Sequence, residues 1–168
     1  MATQAQRVYI GLGSNLKHPQ AQVNAAIEAL SRLPESTFVA HSPWYRSKAI
    51  GPGDQPDYIN GVAALETTLS PEQLLSALHQ IESSQGRIRR ERWAARTLDL
   101  DILLYGNQIV ATDRLQIPHP RVHERNFVLY PLADLAPALI FPDGRSLADL
   151  LATCSDNGIE AIAANQPT

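Results

Sequence analysis

Cysteine is nearly absent: Cys154 stands alone among 168 residues. One thiol closes no internal disulfide and leaves no cysteine cluster for zinc. Its simplest reading is a small buried apolar side chain. Lysine is almost as scarce, with Lys17 and Lys48 the only two, so the other twelve basic residues are arginine. No apolar run approaches the roughly 20 residues of a membrane span. Residues 1–7 lack a charged segment followed by an apolar one, so no secretory leader is expected. Internal repeats, low-complexity tracts and linkers are missing too. With 44% apolar and 18% charged residues, disorder is excluded. The expectation is one soluble cytoplasmic domain over residues 1–168, long enough to bury a real core, with no membrane partner.

What is present is a charge asymmetry. The chain carries a net charge of −3. Five arginines nevertheless fall within ten residues: Arg87, Arg89, Arg90, Arg92 and Arg96. From Arg87 to Arg125 eight arginines face five acids, so this stretch is positive within an acidic protein. Such a patch suits a local anionic ligand rather than a wrapped nucleic acid, which needs a basic domain.

Periodicity supplies the elements. Val8, Ile10 and Leu12 alternate as in a strand, and Gly11-Leu12-Gly13-Ser14-Asn15 reads as a tight turn closing it. Residues 19–33 carry an apolar stripe at helical spacing, stopped by Pro34. Residues 37–46 and 58–69 read as strands, separated by a Pro/Gly-rich loop. Ser70-Pro71-Glu72-Gln73 is a capping-box helix start, and Gly86 a plausible end. Residues 98–105 form a fourth strand. Gly106-Asn107 suggests a hairpin into a short strand at 108–111. Residues 127–135 and 146–153 close the chain as helices, the first containing Pro131. The order is βαββαβ, that of a ferredoxin-like α+β sandwich: an antiparallel sheet, two helices on one face, and C-terminal additions. The opposite face is expected to lie open to a ligand beneath loops.

The fourth strand holds Asp99 and Asp101, two residues apart and so on one face. Aspartate is depleted in strands. Taken alone, the pair fits a solvated face as well as a site for a hard divalent cation such as magnesium. Its position beside the arginine cluster favours phosphate chemistry, in which cations neutralise the charge spread over phosphoryl oxygens. Arginine also grips phosphate bidentately. Tyr58 and Asn60 share a strand face and together suit a flat heterocycle, the ring stacking and the carboxamide reading an edge. Each alone fits an ordinary surface tyrosine and strand-end asparagine. Trp93 and Phe127 are further aromatic plates or core residues. His119 lies in a proline-bracketed loop, and nothing in its spacing assigns it. The glycine pattern lacks both a dinucleotide fingerprint and a Gly-Lys-Ser/Thr phosphate loop.

Four segments together resemble the hydroxymethyl-dihydropterin pyrophosphokinase family. They are Gly11-Leu12-Gly13-Ser14-Asn15-Leu16, Gln55-Pro56-Asp57-Tyr58-Ile59-Asn60, Arg92-Trp93-x-x-Arg96-Thr97-Leu98-Asp99-Leu100-Asp101-Ile102 and Pro118-His119-Pro120-Arg121. The resemblance runs in order from about Val8 to Leu151, and Arg96-Thr97-Leu98-Asp99-Leu100-Asp101 is its most specific piece. It implies a ferredoxin-like enzyme that moves a pyrophosphoryl group from ATP to the pterin hydroxymethyl oxygen and releases AMP. The partners implied are ATP and a reduced pterin, without nucleic acid, and the chain is expected to be a monomer. By the same resemblance, Asp99 and Asp101 hold two magnesium ions, and Arg87 and Arg96 lie on the transferring phosphates. Tyr58 and Phe127 sandwich the pterin, Asn60 reads its amide edge and Trp93 closes over it. Backbone around Ser47, Lys48 and Ile50 completes that pocket. Glu82, Arg89, Arg96, Ile102, Arg114, Leu115, His119 and Arg125 surround ATP. His79 stands where some members have glutamine and receives no role. The competing reading is a non-catalytic ferredoxin-like domain that binds nucleic acid or a nucleotide.

Overall fold

The computed structural model describes residues 5–14, 19–47, 58–86, 98–119, 126–154 and 159–161. At its centre is β1 (Gln6–Ser14), paired antiparallel with β4 (Tyr58–Thr67) on one side and β5 (Leu98–Tyr105) on the other. Beyond β4 lie β2 (Ser36–His41) and β3 (Tyr45–Ser47), also antiparallel to it, and β8 (Ile159–Ala161) extends the sheet past β3. Helices α1 (Pro19–Ser31) and α2 (Pro71–Gly86) provide the two crossovers. The chain is thus an α+β sandwich of the expected ferredoxin-like order.

Alternation along the strands divides the buried residues between the two faces. Val8, Ile10 and Leu12 of β1 meet Val23, Ala26 and Leu30 of α1 and Leu74, Leu78 and Ile81 of α2 in one core. Helix α2 starts with the predicted capping box: Gln73 N–H donates to Ser70 Oγ at 3.1 Å, and Ser70 N–H to Gln73 Oε1 at 2.9 Å. Tyr9, Val62, Ala64, Leu103 and Leu104 face the other way, into a second core. There they meet Val128, Leu129 and Leu132 of α3 (Asn126–Leu135) and Leu147 of α4 (Leu147–Ala152). The register of β1 against β5 shifts at Tyr9/Ile10, which lets Leu103 and Leu104 both enter this core.

The second face is therefore not simply open beneath loops, as expected. Part of it is roofed by α3 and α4, whose apolar residues need that burial. Three further expectations change. First, residues 11–14 remain in β1 instead of turning, because strands pair along both of its edges. Second, the strand expected at 37–46 breaks in two. Ser42 N–H donates to Val62 O at 2.8 Å and Val62 N–H to Ser42 Oγ at 3.0 Å, while Trp44 folds over Gly61. Third, Gly106 (φ +53°) makes a turn, but β6 (Val110–Ala111) pairs with β7 (Gln116–Ile117) and not with β5. The edge strand β8 had no signal beyond three residues of mixed character. Among the described residues, no helix is long and apolar enough to cross a membrane.

Candidate functional site

Toward the Ser14 end of β1, Gly13 brings no side chain to the second face, while the space at Gly11 is taken by Leu103. Register places Asp99 beside Gly13 on β5 and Asp101 beside Gly11. On the other flank, Asn60 of β4 is Gly13's partner, and Tyr45 of β3 is Asn60's. One transverse row thus reads Asp99, Gly13, Asn60, Tyr45. Tyr58 lies two residues from Asn60 on the same face and is partly buried, whereas Asn60 is buried. Phe127 sits in the first turn of α3, half-buried against the second core. Helix α3 packs on β4 and β3, and Tyr45 OH donates to Asp134 across that junction. Burial, with help from that acceptor, pushes the Tyr45 phenol well above its ordinary value.

An open cleft of about 340 Å³ runs along the outer edge of β5, between α2 and residues 112–119. Five of the residues expected around ATP line it together: Glu82, Ile102, Arg114, Leu115 and His119. Asp101 is a lining residue as well, and its register beside Gly11 puts it on the second sheet face. His79 and Asp113 are lining residues that no sequence motif assigned, as are the apolar Leu75 and Leu100. For His79 a signal existed: it lies one helical turn before Glu82 and thus on the same side of α2.

Glu82 has a structural duty. Its Oε2 accepts the Leu100 N–H at 2.7 Å, which satisfies an amide on the outer edge of β5. Burial, above all, pushes the Glu82 carboxyl up; the charges of Asp99 and Asp101 add to this, while the Leu100 amide and His79 oppose it. Among the described residues no three His, Cys, Asp or Glu gather as a complete metal cage. Two hard-oxygen carboxylates on one strand face do fit magnesium, which keeps several non-protein oxygens in its shell. Arg114 Nη1 stands 3.1 Å from Glu72 Oε1 in a well-exposed pair. Such a pair holds the guanidinium only weakly, by about 0–1 kcal/mol.

Ser47 ends β3, its backbone in register with Tyr58. Lys48, Ile50, Arg87, Arg89, Trp93, Arg96 and Arg125 lie outside the described residues.

Residues 9–137 match the sequence profile of the family described as 7,8-dihydro-6-hydroxymethylpterin-pyrophosphokinase. The 2-amino-4-hydroxy-6-hydroxymethyldihydropteridine pyrophosphokinase of Pseudomonas aeruginosa is 57% identical over 157 residues, covering 94% of this chain and 97% of the relative. The enzyme of the same description from Haemophilus influenzae is 50% identical over 149 residues, covering 89% and 93%. Among solved structures, Plasmodium falciparum HPPK-DHPS with pterin and p-hydroxybenzoate superimposes with a TM-score of 0.68 at 13% identity. That match covers 89% of this chain, which spans 43% of the solved one. At that identity the likeness speaks for the fold alone.

Proposed function

The chain belongs to the 7,8-dihydro-6-hydroxymethylpterin-pyrophosphokinase family and is a pyrophosphoryl-transferring enzyme of folate synthesis; we propose how its own residues divide that task. The nucleotide is ATP, and it occupies the cleft beside β5. Glu82, Ile102, Arg114, Leu115 and His119 line its place, with Arg89, Arg96 and Arg125 joining from beyond the described residues. The reduced pterin lies on the second sheet face around Gly13, Asn60 and Tyr58. Tyr58 and Phe127 stack on its two sides, Asn60 reads its amide edge, Trp93 covers it, and backbone around Ser47, Lys48 and Ile50 borders it. The observation that carries this reading is the position of Asp101, a lining residue of the cleft that lies on the same sheet face as Tyr58 and Asn60.

The pterin hydroxyl oxygen bonds to the β-phosphorus of ATP. The bond from that phosphorus to the α,β-bridging oxygen breaks, AMP leaves, and the hydroxyl proton is released. The protein contributes mainly position and charge, with Arg87 and Arg96 on the transferring phosphates. Asp99 and Asp101 would hold two magnesium ions, and the chemistry these would supply when bound is neutralisation of phosphate charge. The carboxylates are committed to that role and are not offered as the general base.

We further propose that residues 1–168 act as one catalytic domain, monomeric and cytoplasmic, without nucleic acid. Two cores built on the two faces of one sheet support the single domain. The competing binding-domain reading is not favoured, since the relatives over nearly the whole chain are enzymes. The test is the product: with ATP, magnesium and 6-hydroxymethyl-7,8-dihydropterin, the account expects AMP and a pterin bearing two coupled phosphorus atoms by ³¹P NMR. ADP with a singly phosphorylated pterin would refute it.

A further inference from the structure

We propose that Gly13 is a positioning residue for the pterin. The space left by its missing side chain is where the Asn60 carboxamide lies. A Cβ built on Gly13 would stand 2.7 Å from Asn60 Nδ2 and 3.8 Å from its Cγ. The first distance is well inside van der Waals contact, so glycine is required for Asn60 to keep its observed orientation. Gly13 has no positive φ, and β1 is regular there, so the backbone does not need glycine for its own sake. Gly11 differs although it lies on the same face of the same strand. The three nearest neighbours of a Cβ there would all be Leu103 atoms, with Cδ2 at 3.2 Å, on the side of the second core.

The transverse row explains why this matters. Asp99 and Asn60 are the two register neighbours of Gly13. With strands about 4.8 Å apart, their Cα atoms are separated by about 10 Å. Any side chain on residue 13 would rise from the floor between the carboxylate assigned to metal and the amide assigned to pterin. Its close contact would be with the end of a flexible side chain, while the backbone oxygen of Ile59 stands at an ordinary 4.0 Å. Relief therefore comes from rotating the Asn60 amide away, not from opening the sheet.

The inference rests on the pterin assignment above, and the experiment separates the two. Pterin affinity is measured with 6-hydroxymethyl-7,8-dihydropterin, magnesium and α,β-methylene-ATP, whose α–β linkage resists cleavage. The proteins compared are wild type, Gly13→Ala, Asn60→Ala, the double variant and Gly11→Ala. Gly13→Ala is expected to fold, as judged by circular dichroism, to bind the nucleotide analogue within two-fold of wild type, and to lose about ten-fold or more in pterin affinity, the loss of one well-aligned hydrogen-bonding group. The double variant is expected to match Asn60→Ala, because both changes remove the same contact. Gly11→Ala is expected to keep wild-type pterin affinity. The proposal is overturned by pterin affinity within two-fold of wild type in Gly13→Ala, by full additivity with Asn60→Ala, by an equal loss in Gly11→Ala, or by failure of Gly13→Ala to fold. Absence of pterin binding by wild type would instead overturn the functional assignment on which the inference rests.

Discussion

Replacing Gly61 with alanine tests whether the break between β2 and β3 is held by packing. A Cβ there would lie 2.5 Å from both Cε3 and Cζ3 of Trp44, and 3.1 Å from Ser42 Oγ. This ring cannot swing aside cheaply. It is only 7% exposed, its Nε1–H donates to Asn24 Oδ1 at 3.2 Å, and it stacks on His41 with centroids 5.1 Å apart. Moving it forfeits a hydrogen bond of about 1 kcal/mol and a stacking term of about 0.5–1.5 kcal/mol. Keeping it in place forces overpacking of about 1–3 kcal/mol. The cheaper route sets the cost, so Gly61→Ala should lose about 1–2.5 kcal/mol. For a chain of this length, that is a fall in Tm of roughly 2–10 °C, read by differential scanning calorimetry. A companion Trp44→Leu change makes room, so the penalty of Gly61→Ala should largely vanish in that background. A Tm within about 1 °C of wild type for Gly61→Ala, or an undiminished penalty in the Trp44→Leu background, would refute the reasoning.

Glu82→Gln concerns pH. The folded-state carboxyl is raised above 4.5, chiefly by burial. An acid so raised binds its proton more readily when folded, so its contribution to stability is full below the unfolded value and is lost as pH rises through the folded one. Glutamine keeps an acceptor for Leu100 N–H without the charge. The metal-free variant should therefore lose less stability than wild type between pH 4.5 and neutrality, and equal slopes in a pH series of denaturant melts would contradict this. Glu72→Gln releases Arg114 from a well-exposed partner. Tm should change by no more than a few degrees, while affinity for an ATP analogue improves by about 1.5- to 5-fold in calorimetric titration; weaker binding would argue against Arg114 as a nucleotide residue.

Much of this was legible from short-range pattern. The ferredoxin-like order follows from period-2 and period-3.6 segments, and the Ser70–Gln73 capping box forms as written. Asp99 and Asp101 do share a face, since alternation within an unbroken strand is local geometry. What escaped was long-range. The Gly11–Ser14 stretch looks like a turn by composition, yet ladder bonds on both edges hold it extended. The strand break at residues 42–44 depends on Gly61, some seventeen residues away in sequence. The roof made by α3 and α4 reflects a second core, which burial rather than local propensity created. His79 could be placed on the Glu82 side of α2 from spacing alone, but its place in the cleft requires residues 112–119 to fold back against β5.

The central claim is that Asp101, shared by the nucleotide cleft and the pterin face, serves the transfer itself. Asp101→Ala is the most direct test, with magnesium-dependent AMP formation and pterin binding measured on the same folded protein. The account predicts turnover lower by on the order of 10²-fold or more, with pterin affinity changed far less. Normal magnesium-dependent turnover in that variant would contradict it.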